Sequence, residues 1–165
     1  MKTRAVFFDR DGVINNNANH YYVFRPADLE LNPDIGECIH KINEAGYKVI
    51  VISNQGGISK GIYDSIDVET VHAEIQRQLQ HYNAKIDDFF YCPHHDKIEQ
   101  CLCRKPNTLL IEKAAAVHNI DLASSFLIGD SHRDIETGER AGIKSFKLEA
   151  NTSALKVVSQ IPDVN

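Results

Sequence analysis

Five short runs rich in β-branched and aromatic residues recur along the chain: Arg4 to Asp9 (RAVFFD), Tyr47 to Ser53 (YKVIVIS), Ile86 to Tyr91 (IDDFFY), Ser125 to Gly129 (SFLIG) and Lys144 to Leu148 (KSFKL). Between them stand apolar residues at helical spacing: Ile35, Ile39 and Ile42; Val71, Ile75 and Leu79; Leu110, Ala114 and Val117. Strand and helix in alternation predict an α/β fold, a Rossmann-like three-layer sandwich with helices on both faces of a parallel sheet. Pro33 is expected in the first turn of a helix, and Gly46 and Gly142 where helices stop. Gly12 to Asn32 and the Cys/His stretch after the third strand are expected to be irregular.

At 165 residues the chain is expected to form one domain, 1–165, with little room for a second. A net charge of −5 with scattered basic residues gives no reason to expect nucleic acid or an anionic membrane as partner. The apolar run near the start is four residues long, too short for a secretory signal, and no stretch approaches membrane-spanning length. A cytoplasmic location is therefore expected, where clustered cysteines serve as metal ligands or catalysts rather than as disulfides. Cys38 stands apart from that cluster, inside a helical pattern.

Open parallel sheets bind ligands beyond the carboxyl ends of their strands. Asp9 and Asp11 follow the first strand in FFDRDG, and they read either as a reactive carboxylate pair or as ordinary turn formers. Asp130 leaves the fourth strand in GDSHRD, where it is either a partner for Asp9 in a magnesium site or a helix cap. After the second strand comes SNQGG, in which Ser53 offers a hydroxyl and the glycine turn offers backbone N–H groups for phosphate, or merely a turn. Arg104 and Lys105 in RKP combine a rigid fork with a mobile point charge, suited to two kinds of phosphate contact.

In their order, DRDG, SNQ, RKP and GDxxxD resemble the haloacid dehalogenase superfamily of phosphotransferases, and the resemblance spans nearly the whole chain. The added CPH…CxC loop, residues 92–103, is similar to the small zinc-containing branch that holds heptose bisphosphate phosphatases and the histidinol-phosphatase domain. The resemblance implies a fold without a large cap domain. It also implies a catalytic set of Asp9 as nucleophile, Asp11 as acid and base, and Ser53 and Lys105 on the transferring phosphoryl group. Mg²⁺ would be held by Asp9, Asp130 and the main-chain carbonyl of Asp11, while Asp134 orients Lys105 or a metal-bound water. Cys92, His94, Cys101 and Cys103 make a complete tetrahedral Zn²⁺ set with no open position, which is a structural site. A redox role would call for Cys-x-x-Cys, whereas this chain has Cys101-x-Cys103. His95 is the rival histidine, and the family pattern prefers His94.

For substrate, the segment NHYYV and the sequence SNQGGISKG are similar to those of the heptose enzymes, which points to Asn19, His20, Tyr22, Ser53, Asn54, Gln55, Arg104 and Lys105 as contacts to a phosphorylated sugar. The chain departs from that pattern at Tyr21, where glycine is frequent, at Ser131, where lysine is frequent, and in its shortened zinc loop. The expected reaction is removal of the 7-phosphate from D-glycero-D-manno-heptose 1,7-bisphosphate by a monomer. Histidinol phosphate is the alternative substrate, and a non-enzymatic zinc-stabilised binding module or a phosphate-transferring mutase are the alternative functions.

Overall fold

The computed structural model describes residues 2–164. Its centre is a five-stranded parallel sheet in the order β3-β2-β1-β4-β5, built from β1 (Ala5–Phe8), β2 (Lys48–Asn54), β3 (Asp88–Cys92), β4 (Phe126–Gly129) and β5 (Lys144–Lys147). Each strand candidate from the sequence is present, within one or two residues at each end. Side chains alternate across the sheet, so Val6, Phe8, Val49, Val51 and Ile128 pack into one core while Ala5, Phe7, Ile50, Ile52 and Leu127 pack into the other. That is why the central strands read as unbroken apolar runs.

On the first face lie α1 (Ile35–Glu44), which contributes Ile35, Cys38, Ile39 and Ile42, and α2 (Ser65–Leu79), which contributes Val71, Ile75 and Leu79. A short C-terminal helix (Leu155–Val158) and the segment after it join them, burying Val158 and then Ile161 and Val164 in the same core. That segment is tied to the sheet's start by an Arg4–Asp163 ion pair of 2.7 Å. The second face carries α3 (Leu109–His118) and α4 (His132–Ala141), with Leu110, Ile111, Ala114 and Ile143 in its core. With α5 assigned to Leu155–Val158, the layers are helix, sheet, helix, and among the described residues no large cap covers the strand ends.

Two local expectations are corrected. Pro33 stands outside α1, because Asp34 is the N-cap and the helix begins at Ile35. Val117 is not on the buried stripe of α3: it is 67% exposed, and Ile111 takes the inward position beside Leu110 and Ala114. An apolar stripe at i, i+1 and i+4 covers the sheet as well as i, i+4 and i+7, and the spacing alone does not choose between them. No helix among the described residues is long and apolar enough to cross a membrane.

Register places the chemistry. Phe8 pairs with Val51 on one side and with Ile128 on the other, so the residues just past β1, β2 and β4 emerge together at one edge. Asn54 pairs with Cys92, which starts the Cys/His loop at that same edge. Strand order reverses at β1, and the crevice opens there.

Candidate active site

Asp9 is the first residue past β1, and its N–H donates to the Ile128 carbonyl at 3.0 Å. Its carboxylate Oδ1 accepts from Lys105 Nζ at 2.9 Å and from the Arg10 N–H at 2.8 Å. The same Lys105 Nζ donates to Asp134 Oδ1 at 2.6 Å and to the Ile52 carbonyl at 3.0 Å. Lys105 is 3% exposed and Asp134 1%, so this is a buried ammonium with its three donors accounted for. Asn54 holds the lysine's backbone in place by accepting from its N–H at 2.9 Å and donating to its carbonyl at 3.3 Å.

Ser131, not Asp130, caps α4. Its Oγ accepts from the Asp134 N–H, and Asp134 Oδ2 in return accepts from the Ser131 N–H at 3.1 Å and Oγ at 2.7 Å. Capping by Ser131 leaves the Asp130 carboxylate for the cleft. Carboxylate oxygens of Asp9, Asp130 and Asp134 lie within 4.8 Å of one another. Two glycines make this crowding possible. A Cβ on Gly12, whose φ is +88°, would stand 2.4 Å from Asp130 Oδ2, and one on Gly129 would stand 2.2 Å from the Asp134 Cβ.

Burial pushes the Asp9 carboxyl up to about 7, with Asp134 and Asp11 adding to the rise and Lys105 opposing it. Asp130 is raised too, first by burial and then by Asp134. Burial acts against ionisation of Asp134 as well, but the charge and hydrogen bond of Lys105 outweigh it and hold that carboxyl low. For Lys105 burial disfavours the ammonium, yet Asp9 and Asp134 together raise it above the usual lysine range. Three carboxylates against one ammonium leave two negative charges uncompensated. A small divalent cation with hard oxygen ligands fits that deficit.

Asp11 is held differently. Its Oδ1 accepts from Arg10 Nη2 at 2.9 Å and from Asn15 Nδ2 at 3.1 Å, and its Oδ2 accepts from Gln55 Nε2 at 2.9 Å. Arg10, fully buried, also donates to the Val23 carbonyl at 2.7 Å and so anchors Asp11 to the loop that follows β1. The Gln55 amide reaches Ser53 Oγ at 2.6 Å and accepts from the Tyr63 hydroxyl at 2.7 Å.

Asp9, Asp11, Asn54, Gln55, Arg104, Lys105, Asp130 and Asp134 line one open cleft of about 260 Å³. Tyr22 joins them, its hydroxyl accepting from Lys60 Nζ at 2.9 Å and its ring set edge-on to Tyr63. Ser53 is buried and off the cleft surface. Asn19 and His20 line a separate hollow with Asp28 and Glu30, so the structure does not bring them together with Asp9. Residues that the sequence reading did not single out for the cleft include Asn17, Tyr63, His95, Ser131 and Arg133. Ser131 and Arg133 stand inside GDSHRD, and the sequence offers His95 only as a rival zinc ligand. Nothing in the sequence marks Tyr63.

The Cys/His loop gathers a second cluster. Ligand atoms of Cys92, His94, Cys101 and Cys103 all lie within 4.8 Å of one another. Cys92 Sγ is 3.6 Å from Cys101 Sγ and 3.5 Å from His94 Nδ1, which is 3.2 Å from Cys103 Sγ. A tetrahedral zinc with bonds of roughly 2.0–2.3 Å has ligand–ligand edges of roughly 3.5–3.8 Å. The Cys92–Cys101 and Cys92–His94 edges match it, whereas Cys103 stands closer, 3.0 Å from Cys92 Sγ and 3.2 Å from His94 Nδ1. The donor set therefore fits zinc in chemistry and number and would spread at Cys103 to take it. Burial opposes ionisation of Cys101, but the N–H groups of Arg104 and Cys103 and the neighbouring thiols bring it down to about 7. The neighbouring His95 turns to the cleft instead, and its N–H donates to Ser59 Oγ at 2.8 Å. Arg104 closes the loop onto itself by donating from Nη1 to the His94 carbonyl at 2.9 Å.

Lys105, arriving from beyond β3, thus binds Asp9 just past β1 and Asp134 in the first turn of α4, on a sheet whose order reverses at β1, and a family described as HAD-hydrolase-like matches residues 102–155. Curated relatives narrow the class. A D-glycero-alpha-D-manno-heptose-1,7-bisphosphate 7-phosphatase of Photorhabdus laumondii is 37% identical over 86% of this chain and 80% of the relative. A D-glycero-beta-D-manno-heptose-1,7-bisphosphate 7-phosphatase of Rhodopseudomonas palustris is 39% identical over 88% and 83%. The crystal structure of D,D-heptose 1,7-bisphosphate phosphatase from B. bronchiseptica, complexed with magnesium and phosphate, aligns with a TM-score of 0.84 at 27% identity, covering 99% of this chain and 90% of that one. The chain belongs to this family of heptose bisphosphate phosphatases and is a phosphatase.

Proposed function

We propose that the protein removes the 7-phosphate of D-glycero-D-manno-heptose 1,7-bisphosphate through a phosphoryl-aspartate at Asp9, with Mg²⁺ as cofactor. The observation that carries this reading is the Asp9–Lys105–Asp134 network, in which one buried lysine fixes the carboxylate that faces the cleft. A carboxylate held by an N–H and an ammonium on one oxygen keeps the other available for attack.

Mg²⁺ held by Asp9 and Asp130 would neutralise the charge between attacking carboxylate and phosphate. In the first step an Asp9 carboxylate oxygen bonds to phosphorus as the bond from phosphorus to the sugar oxygen breaks. Asp11 gives its proton to that departing oxygen. Its carboxylate then accepts a proton from water, the water oxygen bonds to phosphorus, and the phosphorus–Asp9 bond breaks to release phosphate. Arg10, Asn15 and Gln55 hold Asp11 in place for both proton transfers. Lys105 offsets the charge that builds on the transferring group. Zinc bound by Cys92, His94, Cys101 and Cys103 would stiffen the loop that delivers Arg104 and Lys105, a positioning role rather than a chemical one.

The relatives at comparable identity are named for both the alpha and the beta anomer, and they do not choose between them. The reading is tested by phosphate release at matched concentrations of heptose 1,7-bisphosphate and histidinol phosphate with Mg²⁺ present. A higher kcat/KM on the heptose bisphosphate is expected, and a higher value on histidinol phosphate would overturn the choice of substrate.

A further inference from the structure

The cations around the cleft are unequally engaged. Lys105 is bound to Asp9, Asp134 and the Ile52 carbonyl, Arg10 to Asp11 and the Val23 carbonyl, and Lys60 to the Tyr22 hydroxyl. Arg104 uses Nη1 on the His94 carbonyl, and its Nε lies a distant 3.9 Å from Asp96. Arg133 lines the cleft, yet its guanidinium has no hydrogen bond and no ion pair among the described residues. Its charge bears on Asp96 at the rim, where burial resists ionisation and Arg104, His95 and Arg133 together favour it.

Position explains why Arg133 faces outward. Ser131 caps α4, and Arg133 stands in the first turn between Asp130 and Asp134, both of which serve the inner cleft. A neighbouring hollow is also lined by Arg104 and Arg133, so the two arginines share the ridge between the hollows. The inner cleft holds Asp9, Asp11, Asp130 and Asp134, which repel any anionic group other than the one being transferred. A second phosphate on the same substrate therefore needs cations at the mouth, away from those carboxylates.

We propose that Arg133, together with Arg104, seats the non-reacting phosphate of a bisphosphorylated sugar, making Arg133 a specificity-determining residue for this enzyme. The assignment rests on the substrate class proposed above. Two forks on one ridge suit a phosphate with three free oxygens better than either suits a neutral hydroxyl.

The test is a calorimetric titration in an Asp9→Asn background, where binding is read without turnover. Heptose 1,7-bisphosphate and heptose 7-phosphate are compared with Arg133 intact, with R133Q and with R133K. With Arg133 intact the bisphosphate should bind roughly 10–100-fold more tightly than the monophosphate, the range expected for charge-assisted contacts. R133Q should collapse that ratio by about 10-fold or more, and R133K should recover part of it. An unchanged ratio in R133Q, or no preference for the bisphosphate with Arg133 intact, overturns the assignment. Failure of the substrate reading would show separately, as a wild-type enzyme that does not release phosphate from the bisphosphate.

Discussion

Replacing Lys105 with methionine keeps the length of the side chain and removes its charge. It leaves Asp134, 1% exposed, and Asp9 without the ammonium that bridges them at 2.6 and 2.9 Å. Breaking a buried pair from one side costs about 3–5 kcal/mol, because the abandoned charge stays desolvated. For a domain of this size each kcal/mol shifts Tm by about 2–4 °C, so K105M should melt about 6–20 °C lower. The cost depends on pH. In the wild type the folded Asp134 carboxyl lies below its unfolded value, so its contribution is present at neutral pH and is lost on acidification. In K105M both carboxyls shift upward, Asp9 from an already raised value and Asp134 from a lowered one, and protonation relieves the penalty. The stability gap in urea should therefore be widest above pH 7, where Asp9 titrates in the wild type, and should narrow as pH falls toward about 4. Turnover should also fall by about 10²–10³-fold, as for loss of one preorganised charge contact. A gap below about 1 kcal/mol, or one that does not change with pH, would refute the view that Lys105 is the counter-ion of a buried carboxylate cluster.

The two adjacent histidines should separate cleanly: His94→Ala should lower bound zinc and thermal stability together, whereas His95→Ala should keep its zinc, as measured by metal analysis of the purified protein. Equal zinc loss in both would contradict the ligand assignment. His72 offers a pH test away from the cleft. It stacks on Phe89 with ring centroids 4.2 Å apart, its Nε2 has no hydrogen-bond partner, and burial pushes it down to about 3. Between its unfolded value of 6.5 and 3 the unfolded chain binds the extra proton, so stability should drop as pH falls, by about 1.4 kcal/mol per unit for this one group. His72→Phe keeps the stacking and should flatten that part of the curve in urea titrations; parallel curves for the two proteins would contradict it.

Much of this architecture was legible in the residues because burial on both faces of a sheet leaves little choice of sequence. Val49, Ile50, Val51 and Ile52 can be a central strand and little else, and carboxylates that follow such strands must collect at one edge. The gathering of Cys92, Cys101 and Cys103 was equally readable, since three thiols and a histidine within so short a stretch have the spacing of a metal site. What escaped was side-chain direction. The chain from Asn16 to Glu30 turns Tyr21 and Tyr22 toward the cleft and Asn19 and His20 into another hollow, and no periodicity governs an irregular loop. Ser53 and Asn54 sit where expected along the chain, but the Ser53 hydroxyl takes up Gln55 and Asn54 takes up the backbone of Lys105. Arg133 passed unremarked because an exposed arginine on a helix is ordinary until its neighbours are known.

The central claim is that Asp9 attacks phosphorus and carries the phosphoryl group. It is tested most directly by rapid acid quench of the wild-type enzyme during turnover of heptose 1,7-bisphosphate, with mass mapping of the peptide that contains Asp9. The expected result is one phosphoryl group on Asp9, with adduct and phosphate release both lost in Asp9→Asn while the fold and zinc content are kept. Wild-type turnover in Asp9→Asn, or a phosphoryl group mapped to another residue, would contradict the account.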